Sequence, residues 1–147
     1  MTTPVSQSGA TPRRLWRSTG AVFLGFFTVF VLSMVTDQVL HMLKVFPPWG
    51  QPSYDTGLFL LATGYRLVFT VIGGYVTARF APHAPMRHAV ILGVVGTFLA
   101  LAAAIATIPL NLGPVWYPIA LVVTALPFTW LGGALYQKRH APLTSST

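Results

Sequence analysis

Cysteine and glutamate are both absent from this chain, and its acidic side chains number two, Asp37 and Asp55. The missing cysteines exclude disulfides, thiol redox chemistry, thiolate metal sites and covalent attachment of c-type haem. The missing carboxylates leave no acidic pair inside one apolar run, and no HExxH metal motif, glycine-rich phosphate loop or nucleophile elbow occurs. Charge of either sign is scarce: 7% of the 147 residues are charged, whereas soluble domains carry about 25%. With 54% hydrophobic residues, the chain reads instead as an integral membrane protein. Neither enzymatic activity nor a cofactor or metal is expected. A net charge of +7 would suggest nucleic acid in a soluble protein, but here the basic residues are arranged as markers of membrane sidedness, and no nucleic-acid partner is expected.

Four apolar stretches are present, about Thr19–Leu43, Gly57–Ala81, Ala89–Ile108 and Val115–Tyr136. Each is long enough to cross about 30 Å of hydrocarbon at about 1.5 Å per residue. The predicted fold class is all-α, an integral membrane four-helix bundle within residues 13–140. Residues 1–12 and 141–147 are rich in Ser, Thr and Pro without apolar periodicity and are expected to be disordered tails. Arg13, Arg14, Arg17, Arg79, Arg87, Lys138 and Arg139, seven of the nine basic residues, fall on one side of such a bundle, and Lys44 alone on the other. The positive-inside rule then places both termini in the cytoplasm. The loops Phe46–Thr56 and Pro109–Pro114 face outward, with Trp49, Tyr54, Trp116 and Tyr117 expected in an interfacial aromatic belt. The segment Arg13 to Arg17 loosely resembles a twin-arginine export signal. The apolar run behind it is too long for a cleavable core, so helix 1 is expected to be retained.

The two halves of the chain carry related patterns. Val22 to Gly25 with Phe30 recurs as Val90 to Gly93 with Phe98, and Gly73-Gly74 with Arg79 recurs as Gly132-Gly133 with Lys138. If these mark a repeat, it is a parallel one of two tandem helical hairpins, about an axis along the membrane normal. The polar residues of the first hairpin have no counterpart in the second: Ile105 stands where Asp37 would be and Ala125 where Arg66 would be.

Asp37 and Arg66 are the outstanding candidates for a site. Each is a lone charge inside an apolar run, and burying one at mid-bilayer costs about 2.5–3.5 kcal/mol even on the lowest scales. Ser33, Asp37, His41 and Lys44 follow at intervals of four, four and three, and so share one face of helix 1. Thr63, Arg66, Thr70, Gly73 and Thr77 share a face of helix 2, and Gly93, Thr97, Ala100, Ala104, Thr107 and Asn111 a face of helix 3. Small and hydroxyl residues at this period let helices approach closely and bond across the interface; a water-lined path along Ser33, Thr63 and Thr70 is the alternative. At 1.5 Å per residue, Asp37 lies about 10 Å below Lys44 and Arg66 about 13 Å below Gly57. The two are therefore at similar depth in the outer half. An Asp37–Arg66 ion pair is expected, with His41 one turn above. It either fixes the docking of helices 1 and 2 or forms a proton, cation or anion site open to the outside. Ser33, Asp37 and His41 stacked on one helix offer no oxyanion site, which argues against a hydrolase.

The remaining histidines, His83, His88 and His140, lie near the inner face, too far from His41 for paired haem ligation. His83 and His88 are expected to be solvated or against headgroups. The stiff loop Val45 to Pro52 is expected to end one helix and anchor the next, or else to lid the charged cluster.

Three segments, TDxxLHxLxVFPPWG (Thr36 to Gly50), YRxxxxxxGGYxxAR (Tyr65 to Arg79) and APxxPMRHAxxLG (Ala81 to Gly93), resemble an uncharacterised family of small bacterial four-span membrane proteins with a GGYxxAR motif in the second helix. The resemblance implies a bacterial inner-membrane location and this topology, and no site residues. Small multidrug resistance transporters also have four spans, but their first-helix glutamate has no counterpart here. A structural or accessory membrane subunit is the expected role, with a small solute or proton-coupled transporter, working as a homo-oligomer, as the alternative. The expected partners are the lipid bilayer and either a second copy or another membrane subunit.

Overall fold

A computed structural model describes residues 12–141. It contains four long helices, α1 (Pro12–Met42), α2 (Thr56–Phe80), α3 (Pro85–Thr107) and α4 (Trp116–His140), with a single 3-10 turn at Ile108–Leu110 after α3. All four helices are long and apolar enough to cross a membrane. They form an all-α four-helix bundle with no strand among the described residues. The helices outrun the apolar stretches: α1 begins at Pro12, α3 at Pro85 and α4 continues to His140. Hydrophobicity marks only the part that suits hydrocarbon, whereas backbone hydrogen bonding continues into polar flanks, and Pro12 and Pro85 sit where a helix tolerates a missing N–H. The tails expected over 1–12 and 141–147 otherwise lie outside the described residues.

Around the bundle the order is α1, α2, α4, α3. Leu92 apart, the apolar interior is built from small side chains. Ala21, Ala62, Ala78, Ala89 and Ala104 are buried together with Thr77 and Thr129, while Phe23, Phe98, Ile105 and Val123 are more than 60% exposed. Large apolar residues outside and small residues inside is the arrangement expected where lipid, not water, is the surrounding solvent, because close backbone approach replaces hydrophobic exclusion.

Glycines set the crossings. A Cβ on Gly25 of α1 would lie 2.7 Å from the Gly73 carbonyl oxygen of α2, and one on Gly74 would lie 2.9 Å from backbone carbons of Thr129 of α4. One on Gly132 of α4 would lie 2.7 Å from the Tyr75 nitrogen, and one on Gly133 would lie 2.7 Å from Ala89 Cβ of α3. Each Gly-Gly pair thus lets its helix touch two neighbours at one level. The first pair meets α1 and then α4, the second α2 and then α3, so each touches its own hairpin partner and the second helix of the other hairpin, but in opposite order along the pair. Threonine hydroxyls do not bond across the helices as their spacing led us to expect. Thr63, Thr70, Thr97 and Thr129 each donate to a carbonyl four residues back in their own helix, the nearest acceptor to a helical hydroxyl. Thr77 is the exception, fully buried against Gly25 with no hydrogen-bond partner.

Candidate functional site

At the end where α1 leads into α2, the last turn of α1 closes as a Schellman motif. Val45 N donates to Leu40 O at 2.9 Å and Lys44 N to His41 O at 3.0 Å, with Lys44 left-handed at φ 57°. This reverses the chain, so that Phe46 to Trp49 fold back over the helix end. A tight turn follows in which Gln51 N donates to Pro48 O, with Gly50 at φ 77°, a value that glycine adopts freely. Trp49 stacks on the His41 ring at 3.9 Å between centroids and 3° between planes, while Phe46 meets the same ring edge-on at 5.5 Å. Asp55 then caps α2, accepting from Gly57 N at 2.8 Å and Leu58 N at 3.3 Å. The two loops at this end are tied together by Ser53 N donating to Leu112 O at 3.0 Å and Tyr54 OH to Asn111 O at 2.8 Å.

Beneath this roof lies the charged cluster. Arg66 Nη2 of α2 donates to Asp37 Oδ2 of α1 at 2.5 Å, and the Tyr65 hydroxyl donates to Asp37 Oδ1. Asp37 is buried, with 12% of its side chain exposed, whereas Arg66 keeps 30%. The guanidinium carbon lies 6.0 Å from the Tyr65 ring centre and 5.9 Å from that of Tyr117 on α4, within the range of cation–π attraction. One element from each of three helices therefore meets at this point. His41 is linked to the cluster through backbone: its Nδ1–H donates to the Asp37 carbonyl oxygen at 2.7 Å, not to the carboxylate.

Two cavities flank Arg66. One of about 240 Å³ lies under the roof, bounded by Asp37, His41, Trp49, Phe59, Arg66 and Tyr117. A second of about 330 Å³ lies across Phe59 and Tyr117, against Ala100, Ala104 and Thr107 of α3. Gly113 makes room for the Phe59 ring between them, since a Cβ there would lie 2.5 Å from the ring.

The structure brings Asp37, Arg66 and His41 into one region but leaves the other candidates out of it. Ser33 is half-buried and, like Thr63 and Thr70, does not line the cavity that holds Asp37. Two members of the cluster escaped sequence reasoning. Tyr65 adjoins Arg66 and so lies about 100° away on a helical wheel, off the face traced from Thr63 to Thr77. Tyr117, expected in the aromatic belt, turns inward onto Arg66. The signal that would have found them is the need of a buried guanidinium and carboxylate for further hydrogen-bonding and aromatic neighbours. At the other end, His88 is buried rather than solvated, because α3 starts early and carries its ring into a groove beside Ser18, Thr19 and Val22 of α1. Its Nδ1–H donates to Ala84 O at 3.2 Å. Among the described residues no group of three metal-ligating side chains converges. Comparison of the chain with protein-family models, with curated proteins and with solved structures finds no match.

Proposed function

We propose that the chain is a multi-pass protein of the bacterial inner membrane, both termini cytoplasmic, that serves as a non-enzymatic structural or accessory membrane subunit. The observation that carries this reading is the internal pairing of the cluster. Both oxygens of Asp37 are occupied, by Tyr65 and by Arg66, so that its charge is spent on holding α1 to α2. A carboxylate whose two oxygens are both bonded within the protein offers neither of them unshared to a transported cation. The asymmetry of arginine and lysine between the two ends supports the orientation, and the resemblance of three segments to small bacterial four-span proteins supports the membrane.

Native absence of cysteine makes the test clean. Single cysteines at Ser33, Thr63 and Thr70 are expected to resist a membrane-impermeant thiol reagent added from the outside, while one at Gln51 in the outer loop labels rapidly. Labelling of Thr63→Cys and Thr70→Cys at the rate of Gln51→Cys would establish an aqueous path and overturn the reading. Purification in mild detergent is expected to retain a partner subunit or a second copy.

A transporter working through Asp37, Arg66 and His41 is the second reading. It is favoured by the paired cavities on either side of Arg66. Flux of a solute or of protons into vesicles containing only this chain would decide for it.

A further inference from the structure

We infer that the cavity under the Trp49 roof is a binding site for a small organic carboxylate, one negative charge on an apolar or aromatic body. This goes beyond the accessory reading and fails or succeeds separately from it. The argument starts from what Arg66 leaves unused. Its Nη2 is taken by Asp37, and its Nε is buried without a partner. Among the described residues Nη1 has no protein acceptor and is not sealed off, and the side chain keeps 30% of its surface. The Tyr117 hydroxyl likewise has no protein partner and is not among the sealed atoms. Both residues line this cavity, and both also border the second one across Phe59. Two unused donors, one of them cationic, on a largely apolar enclosure select a hydrogen-bond acceptor with negative charge, because a charge-assisted bond is about twice as strong as a neutral one.

The same surroundings exclude the alternatives. A cation would have to share the cavity with the protein's own guanidinium, which already holds the Asp37 carboxylate and lies 6.0 and 5.9 Å from the Tyr65 and Tyr117 ring centres. An inorganic phosphate would set up to two charges beside the Asp37 carboxylate and has no apolar part to cover Leu58, Phe59, Ala62 and Leu112. A carboxylate has one charge and an apolar remainder, which these walls and the Pro47-Pro48-Trp49 roof would cover. The cavity of about 240 Å³ falls below the roughly 300–1,000 Å³ of sites for drug-sized ligands, which limits the body to about that of benzoate or a short-chain fatty acid. The roof is tied down by the His41 stack and by the bonds between the two loops, so the enclosure exists before the ligand arrives.

The test is calorimetric titration of the full chain in nanodiscs of zwitterionic lipid, with empty nanodiscs subtracted and with benzoate, hexanoate, choline and inorganic phosphate as probes. Benzoate and hexanoate are expected to saturate one site, and choline and phosphate to give no saturable heat. Tyr117→Phe, which removes one donor and keeps the ring, is expected to weaken benzoate about tenfold with the helical signal and melting temperature unchanged. Trp49→Leu is expected to weaken benzoate more than hexanoate. The inference is overturned if neither carboxylate saturates, if Tyr117→Phe binds as wild type does, or if choline or phosphate binds as tightly as benzoate. Loss of benzoate binding when an anionic phospholipid replaces the zwitterionic one would assign the site to a lipid headgroup and overturn it equally.

Discussion

Replacing Asp37 by Asn is expected to lower unfolding stability in mixed micelles by about 3 kcal/mol, the lower end of the range of about 3–5 kcal/mol for breaking a buried pair on one side. The substitution preserves shape, and its one amide oxygen can still accept from Arg66 while its NH2 donates to the Tyr65 hydroxyl. What it removes is the charge that compensates a guanidinium of which 70% of the side chain surface is covered, the complement of the 30% that stays exposed. The lower end applies because that remaining exposure lets Arg66 recover part of its hydration. Arg66→Leu is expected to cost a similar amount for the converse reason, an aspartate left with only the Tyr65 hydroxyl. The double variant Asp37→Leu/Arg66→Leu removes both charges together and is expected to return to within about 1 kcal/mol of the wild type, or to exceed it, as apolar replacements of buried pairs commonly do. Titration with denaturing detergent, followed by helical circular dichroism, measures all three. If both single variants melt as the wild type does, the pair does not hold α1 to α2, and the accessory reading loses the observation that carries it.

The parts of this molecule that were legible in its sequence are those set by local composition. Twenty or so apolar residues in a row declare a span whatever they pack against, and a lone Asp37 or Arg66 inside such a run stands out for its solvation cost alone. Counting 1.5 Å per residue from each loop brought the two to one level because helix rise does not depend on tertiary contacts. What stayed hidden depends on where helices are placed and how chains turn. Tyr65 reaches Asp37 from a position next to Arg66 because two long side chains about 100° apart on the wheel converge on one acceptor, which a single-face reading forbids. Trp49 reaches the His41 ring because Lys44 takes a left-handed conformation that its side chain gives no sign of; glycine is the usual residue there. His88 is buried because Pro85 starts α3 within the turn that hydropathy assigned to water. The glycine pairs were legible as sites of close approach but not in their partners, since that choice belongs to the order of helices around the bundle.

That order yields the second large effect. Gly132→Ala is expected to destabilise by about 3 kcal/mol, the upper end of the range for overpacking a filled interior, and Gly132→Leu to prevent the native bundle from forming. The reason is what the new carbon would meet. At Gly132 it lies 2.7 Å from the Tyr75 nitrogen and 3.0 Å from the Gly74 carbonyl carbon, and these are backbone atoms of a facing helix, which no rotamer change can move aside. Relief requires α4 to retreat from α2. The same movement would carry Tyr117 away from Arg66, since both residues ride on the helices being separated. Gly20 and Gly64 serve as the internal control, because a Cβ at either meets nothing within 4 Å. Alanine there is expected to leave stability unchanged or to raise it by about 0.5–1 kcal/mol through the reduced freedom of the unfolded chain. The contrast separates packing from composition: four glycine-to-alanine changes of identical chemistry, at Gly20, Gly64, Gly74 and Gly132, should split into two harmless and two damaging. Gly74→Ala belongs with Gly132→Ala, its new carbon lying 2.9 Å from the Thr129 Cα and carbonyl carbon and closer still to the carbonyl oxygen. Equal melting of all four would mean that α2 and α4 do not touch at these glycines, and with that contact would go the placement of Tyr117 over the charged pair.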